Sequence, residues 1–240
     1  MADHHVTQDT PDTRDTERPL LLVEDLMLLL LDDATGTIKG EGTLHWTLGG
    51  AVLMDLALRG RVETDRERTV HAVPGPPLGD PLLGDAFERV AKRPRYVGTV
   101  LAEIGPPLRA RVLDRLVERG LVRRERSKLL GFIPTTRMPP QDLAHEAALL
   151  ERVRAVLEDG EMPDARTAAL VAILSASGTL PQFHPAVGWS NAVASRALRY
   201  QNGDWGAAAV GTAVIAQAAA VNVSIGIAVA TGVIGGSQAQ

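Results

Sequence analysis

Between Arg89 and Lys128 the chain carries twelve basic residues: Arg89, Lys92, Arg93, Arg95, Arg109, Arg111, Arg115, Arg119, Arg123, Arg124, Arg126 and Lys128. Only four acids, Glu103, Asp114, Glu118 and Glu125, fall in the same span. The segment is therefore eight charges positive inside a chain whose formal net charge is -4. A guanidinium presents planar paired donors that match phosphate or carboxylate oxygens, so the chemistry these residues offer is recognition of an anion. The competing reading is a solvated helix face balanced by acids elsewhere in space. Arg109 and Arg111 follow Pro106-Pro107 at a helix start, where backbone N–H groups also favour an anion. Arg59 and Arg61 flank Gly60 at a helix end, where a basic residue is stabilising without any ligand.

Covalent and metal chemistry find no such foothold. The six histidines, His4, His5, His45, His71, His145 and His184, are scattered, and none makes a metal-binding spacing with another histidine or a carboxylate motif. Asp32 and Asp33 read as a turn rather than a cation site. Gly49-Gly50 is not followed by Gly-Lys-Ser/Thr, and no Gly-x-Ser-x-Gly elbow occurs. Cysteine is absent, which removes disulfides, zinc-thiolate sites and thiol nucleophiles. The expectation is a binding protein, not an enzyme, with no cofactor and no metal.

The elements that must position the arginines are mostly helical. With 240 residues, 45% of them hydrophobic, the chain can close a sizeable core. Aromatics make up 3%, so that core is built from aliphatic and small side chains, and a base-stacking surface is hard to assemble. Residues 1–18 are acidic and lack an apolar run, which suits a disordered tail and not a signal peptide. A domain over 19–232 and a flexible end at 233–240 follow.

LLLVEDLMLLLLDDATG has Leu21, Met27 and Leu28 on one helical face, but Leu29, Leu30 and Leu31 leave no polar side. The element is thus largely buried or changes conformation partway. TLHWTLGGAVLMDLALRG places Leu48, Val52 and Leu56 on a stripe, with Gly49 and Gly50 for close backbone approach and Gly60 as the cap. Residues 61–73 are strand material, a short hairpin with Val62, Val70 and Val73 inward. A helix starts near Leu82. Leu108, Val112, Leu116 and Val117 predict a helix ended by Gly120, after which LVRRE and KLLGFIP read as two strands with a polar turn between them. Further helices are predicted from Gln141 to Leu157 and up to Gly178. A helix followed by a basic hairpin also ends a winged-helix module, so shape alone does not choose between DNA and another partner. From Trp205 to Gln240 no residue is charged. The segment reads as a membrane span or as a central buried helix, and Gln217, Asn222, Ser224 and the many Ala and Gly favour the second.

LLVEDLMLLLLDDATGTI, followed by LGGAVLMDLALRGRV with its Leu-Arg-Gly-Arg ending, resembles the Golgi phosphoprotein 3 family. PLLGDAF, LRARVLDRLVERGLV, KLLGFIP, DARTAALVAILSASG and a helix introduced by GDW fit in order, so the resemblance spans about residues 19–225. It implies a single mainly α domain with a central C-terminal helix and short β-hairpins. It also implies a non-enzymatic peripheral membrane protein that binds phosphatidylinositol 4-phosphate and delivers a protein client.

Residue by residue, the family's head-group tryptophan falls near Gly40, where the ring is absent, although Trp46 lies six residues later. An arginine of the family is replaced by Gly49, a second by Pro106, and a third is retained as Arg109, while Arg111 also aligns with a basic position. Arg109, Arg111, Trp46, Arg59 and Arg61 are the candidate head-group residues. The partners expected are an anionic phospholipid surface and a protein client, with no nucleic acid and with self-association left open. The location expected is cytoplasmic with reversible membrane association. The alternative is a protein-protein adaptor without lipid binding. Abundant Ala, Arg, Asp and Gly, with Lys39, Lys92 and Lys128 as the only lysines, suggests a bacterial source.

Overall fold

A helix that is apolar on every side is stable only where it is surrounded. The computed structural model describes residues 18–32, 35–129, 133–137, 141, 143–205, 221–222 and 224–227, with 126–129 and 133–137 described by their backbone. In it α1 (Leu22–Leu30) is buried along its whole length, Glu24 and Asp25 included. Both outcomes foreseen for this element occur together. The helix stops at Leu31, which turns extended and bridges to Ile38. The turn between them is held by Asp32, whose Oδ1 accepts the Thr35 N–H at 2.8 Å.

A single 3-10 turn, Glu41–Thr43, leads into α2 (Leu44–Leu58). This helix packs against α1, α3 (Pro81–Ala91), α4 (Val97–Ile104), α5 (Leu108–Glu118) and α7 (Ala165–Ala176). Its burial goes beyond the stripe of Leu48, Val52 and Leu56: Ala51, Leu53 and Met54 are enclosed as well. Gly50 makes that possible, because a Cβ there would lie 2.1 Å from the Ile225 Cδ1.

The hairpin foreseen at 61–73 is β1 (Val62–Thr64) with β2 (Thr69–Ala72); Val62 and Val70 point inward, whereas Val73, also expected inward, lies past β2 and is only partly buried. A third strand, β3 (Arg95–Tyr96), adds antiparallel to β2 and makes the sheet order β1-β2-β3. The second hairpin differs from the reading of its sequence. Its strands are β4 (Glu125–Leu129) and β5 (Ile133–Arg137), so ERSKL is strand and not the polar turn. Hydrogen-bond register, which a short polar run does not reveal, decides this.

α6 (Leu143–Arg154) continues as one wider turn, Ala155–Asp159. α7 ends at Gly178 in a left-handed conformation. α8 (Asn191–Gln201) was not foreseen, although Ser190 caps it through the Val193 N–H and Val193, Ala197 and Tyr200 form its buried stripe. The stretch from Trp205 is described only in part: Trp205 is buried, and 221–222 and 224–227 are helical, with Val221, Asn222, Ser224 and Ile225 enclosed. Contact of Ile225 with Gly50 puts this helix against α2 in the middle of the molecule. Among the described residues no helix is long and apolar enough to cross a membrane. The tail expected at 1–18, apart from Arg18, and the end expected at 233–240 lie outside the described residues.

Candidate functional site

The basic segment divides into buried and exposed halves once its ion pairs are traced. Arg115 donates from Nε to Glu24 at 3.0 Å and from a terminal nitrogen to Asp80 at 2.8 Å. Arg119 approaches the other Glu24 oxygen at 3.5 Å and also donates to the Arg18 carbonyl. Glu24 is fully buried, and its carboxylate further accepts the Leu21 N–H at 2.7 Å. Burial alone would depress the pKa of Arg115, but Glu24 and Asp80 outweigh it and raise the value above that of a free guanidinium. On the far side of α1, Asp25 takes Arg166 at 2.6 Å and His145 at 2.9 Å, while Asp55 of α2 accepts the Leu22 N–H at 2.8 Å. The Val-Glu-Asp-Leu start of α1 is therefore an ionic clamp joining α1 to α2, α5, α6 and α7. Arg115 and Arg119 belong to that clamp and not to a surface.

Arg109 and Arg111 stand outside it on the first turn of α5. Arg109 is 54% exposed and meets Glu41, itself 57% exposed, at 3.0 Å. Arg111 is 36% exposed and meets Asp85 of α3 at 2.7 Å. Exposed pairs of this kind contribute roughly 0–1 kcal/mol, so an anion of higher charge density can replace either carboxylate. Backbone donors add less than the sequence suggested, since the amides of Leu108 and Arg111 already reach the Gly105 and Pro107 carbonyls.

Gly105 sets the position of this turn. It lies between α4 and α5 against the first turn of α2, and a Cβ on it would fall 2.2 Å from the His45 carbonyl oxygen. Only glycine lets the two backbones approach that closely, which brings α5 beside His45 and Trp46. Trp46 is half-buried, tilted 41° to the His45 ring at a centroid distance of 5.0 Å, and packed on the core. It lies inside α2 and not in the loop before it.

Arg59 and Arg61 are at the opposite end of α2. Thirteen residues separate Trp46 from Arg59, which is about 20 Å along a helix. Arg59 bonds Asp55 at 3.1 Å on its own helix. Arg61 is 7% exposed, donates to the Val73 and Pro76 carbonyls, and lies 4.4 Å from the Phe87 ring centroid. Its guanidinium is spent on holding the 73–76 loop to α3. The five candidates therefore do not converge: Trp46 and Arg109 share one end of α2, Arg111 faces α3, and Arg59 and Arg61 sit far off.

The positions where the resembled family carries other side chains have a structural account. Gly40 has φ +69°, and a Cβ there would fall 2.6 Å from Thr179 Cγ2. Gly49 faces the Leu101 carbonyl, 3.3 Å from where its Cβ would be. Neither accepts a large side chain without displacement. Pro106 is exposed at the α4–α5 corner.

Among the described residues no group of three or more His, Asp or Glu side chains could hold a metal ion. A cavity of about 330 Å³ lies beyond the end of α1, lined by Leu29, Leu31, Lys39, Glu146, Leu150 and Phe183 among others. It contains none of the five candidates.

The sequence matches the family model described as Golgi phosphoprotein 3 (GPP34) over residues 22–217. It is also similar to the vacuolar protein sorting-associated protein 74 of Schizosaccharomyces pombe, 26% identical over 185 residues. That alignment covers 65% of this chain and 55% of the relative, so the chain spans little more than half the length of the relative it matches.

Proposed function

The chain belongs to the Golgi phosphoprotein 3 family, and from that membership we propose that it is a non-enzymatic peripheral protein that docks reversibly on anionic phospholipid. The observation that carries the reading is the exposed first turn of α5, where Arg109 and Arg111 are each held by one exposed, exchangeable carboxylate. A phosphate group entering there takes over the guanidinium donors that Glu41 and Asp85 now use. Phosphatidylinositol 4-phosphate is the head group the family resemblance supports. With glycine at positions 40 and 49 and proline at 106, selectivity for it over other acidic lipids is reduced. A bacterial source belongs to the same proposal and favours a simpler acidic lipid as the ligand. Delivery of a protein client, self-association and a cytoplasmic location are part of the proposal by family alone.

Co-sedimentation with vesicles of graded acidic-lipid content, with and without phosphatidylinositol 4-phosphate, tests it. A basic residue near an anionic leaflet contributes about 1 kcal/mol, roughly fivefold in affinity. Arg109→Ala/Arg111→Ala is therefore expected to bind about 25-fold more weakly. No binding of the unsubstituted protein at low salt, at any composition, refutes the proposal and favours an adaptor without lipid contact.

A further inference from the structure

Pairing inside the fold changes where free positive charge is found. Arg109, Arg111, Arg115, Arg119, Arg123 and Arg124 each meet a carboxylate. Arg66, Arg68, Arg89, Lys92 and Arg93 form no ion pair among the described residues, and the fold gathers them. Arg68 ends the β1–β2 turn, and its carbonyl accepts the Val97 N–H directly after β3. Lys92 and Arg93 lead into β3, the edge strand of the sheet. Arg89 is tied to the same corner, since its carbonyl accepts from Arg95 and its guanidinium donates to the Glu103 carbonyl.

The acids around this corner are largely engaged. Asp65 accepts the Glu67 and Thr69 amides and pairs with His71, and the His71 hydrogen bond is the main cause of its lowered pKa. Glu103 pairs with Arg95, and Asp85 with Arg111. Glu63 is on β1, the opposite edge of the sheet. That leaves five cations against the exposed Asp65, Glu67 and Glu88, with Glu63 on the far strand, because amide and imidazole hydrogen bonds leave the Asp65 charge in place. In their midst Tyr96 is 43% exposed, with the Arg68 guanidinium 5.9 Å from its ring centroid. An exposed aromatic ring among unpaired cations suits a lipid–water interface, where the ring sits at head-group depth and the cations meet lipid phosphates.

We propose that the edge of this sheet, carried by the exposed Arg66, Lys92, Arg93 and Tyr96, with the partly buried Arg68 held against the Tyr96 ring, is a membrane-contact surface for anionic phospholipid. It adjoins the first turn of α5 along α3, since Asp85, Arg89 and Lys92 line one depression and Asp85, Arg89 and Arg111 the next, so the two contacts are told apart by substitution and not by distance. The inference rests on the membrane-docking reading above but assigns the contact to different residues. Binding through this edge depends on diffuse charge, so it requires acidic lipid without selecting a head group and weakens as salt is raised.

The test uses the full chain and phosphatidylcholine vesicles containing graded phosphatidylserine. It compares Lys92→Ala/Arg93→Ala with the charge-matched Arg152→Ala/Arg199→Ala and with Arg109→Ala/Arg111→Ala. Arg152 and Arg199 are exposed on α6 and α8, form no ion pair among the described residues, and control for net charge. At about fivefold per residue, the Lys92/Arg93 variant is expected to bind some 25-fold more weakly and the Arg152/Arg199 variant less than about threefold. Equal loss in those two variants overturns the inference, because the attraction is then spread over the molecule. Unchanged binding of the Lys92/Arg93 variant, with loss in the Arg109/Arg111 variant, overturns it while leaving membrane docking intact. No binding of the unsubstituted protein overturns both.

Discussion

Arg115→Leu separates structural arginines from available ones. The substitution leaves the fully buried Glu24 carboxylate with the Leu21 amide at 2.7 Å and Arg119 at 3.5 Å. It also removes from Asp80 a partner at 2.8 Å, although Asp80 still caps α3 through the Leu82 and Leu83 amides. Stripping one partner from a buried pair typically costs 3–5 kcal/mol, and the surviving Arg119 contact lowers that to about 2–4 kcal/mol. Domains of this kind are stable by about 5–15 kcal/mol, so the loss is a large fraction of the total. Urea unfolding at neutral pH followed by circular dichroism measures it as a lower midpoint with an unchanged slope. Arg109→Ala, which breaks only an exposed pair, is expected within about 0.5 kcal/mol of the unsubstituted protein. Glu24→Leu/Arg115→Leu should recover part of the loss, because the fully buried Glu24 carboxylate is then gone, although Asp80 keeps only its amide contacts and Arg119 loses Glu24. Since the pKa of Arg115 is raised, its contribution is complete below the free guanidinium value and disappears only above it. The cost should therefore be flat from pH 6 to 9. A cost below about 1 kcal/mol, or one equal to that of Arg109→Ala, would refute the clamp.

Two further outcomes follow from the same geometry. Gly105→Ala drives a Cβ into the His45 carbonyl, a backbone atom that cannot rotate away; a cost near 3 kcal/mol is expected, seen as a melting temperature lower by about 6 °C or more, together with weaker vesicle binding as α5 shifts. Asp164 caps α7 by accepting the Thr167 N–H at 2.7 Å, and although burial raises its pKa, that bond and nearby arginines bring the net value below 3.8. Asp164→Ala should cost about 1 kcal/mol at neutral pH, and because the folded pKa is the lower one, the gap from the unsubstituted protein should close as pH falls below about 4.

Much of the fold could be read from local signals. The stops at Gly60, Gly120 and Gly178 mark helix ends because left-handed backbone there strongly favours glycine. The burial of α1 follows from leucines on all its sides, and the approach at Gly50 from a glycine inside an otherwise strong helix. The β4–β5 register and β3 escaped notice because strand pairing is settled by a partner and not by the strand itself. α8 had its signals, Ser190 and the spacing of Val193, Ala197 and Tyr200, but they are weak among small residues. Gly105 carried no signal either, since its role comes from a helix sixty residues earlier.

By itself the sequence determined a mainly helical chain, the family to which it belongs, and a concentration of arginine suited to anions, because periodicity, punctuation and charge counts are properties of neighbouring residues. Which arginines are free was decided only by the tertiary structure. Glu24, Glu41, Asp80 and Asp85 reach Arg115, Arg109 and Arg111 across 26 to 91 residues of chain. Through those contacts a segment that counts as strongly positive is largely neutralised along α5, while Lys92 and Arg93 at the sheet edge form no ion pair among the described residues. Charge is additive along a chain, but its availability to a ligand depends on what lies within 4 Å in space.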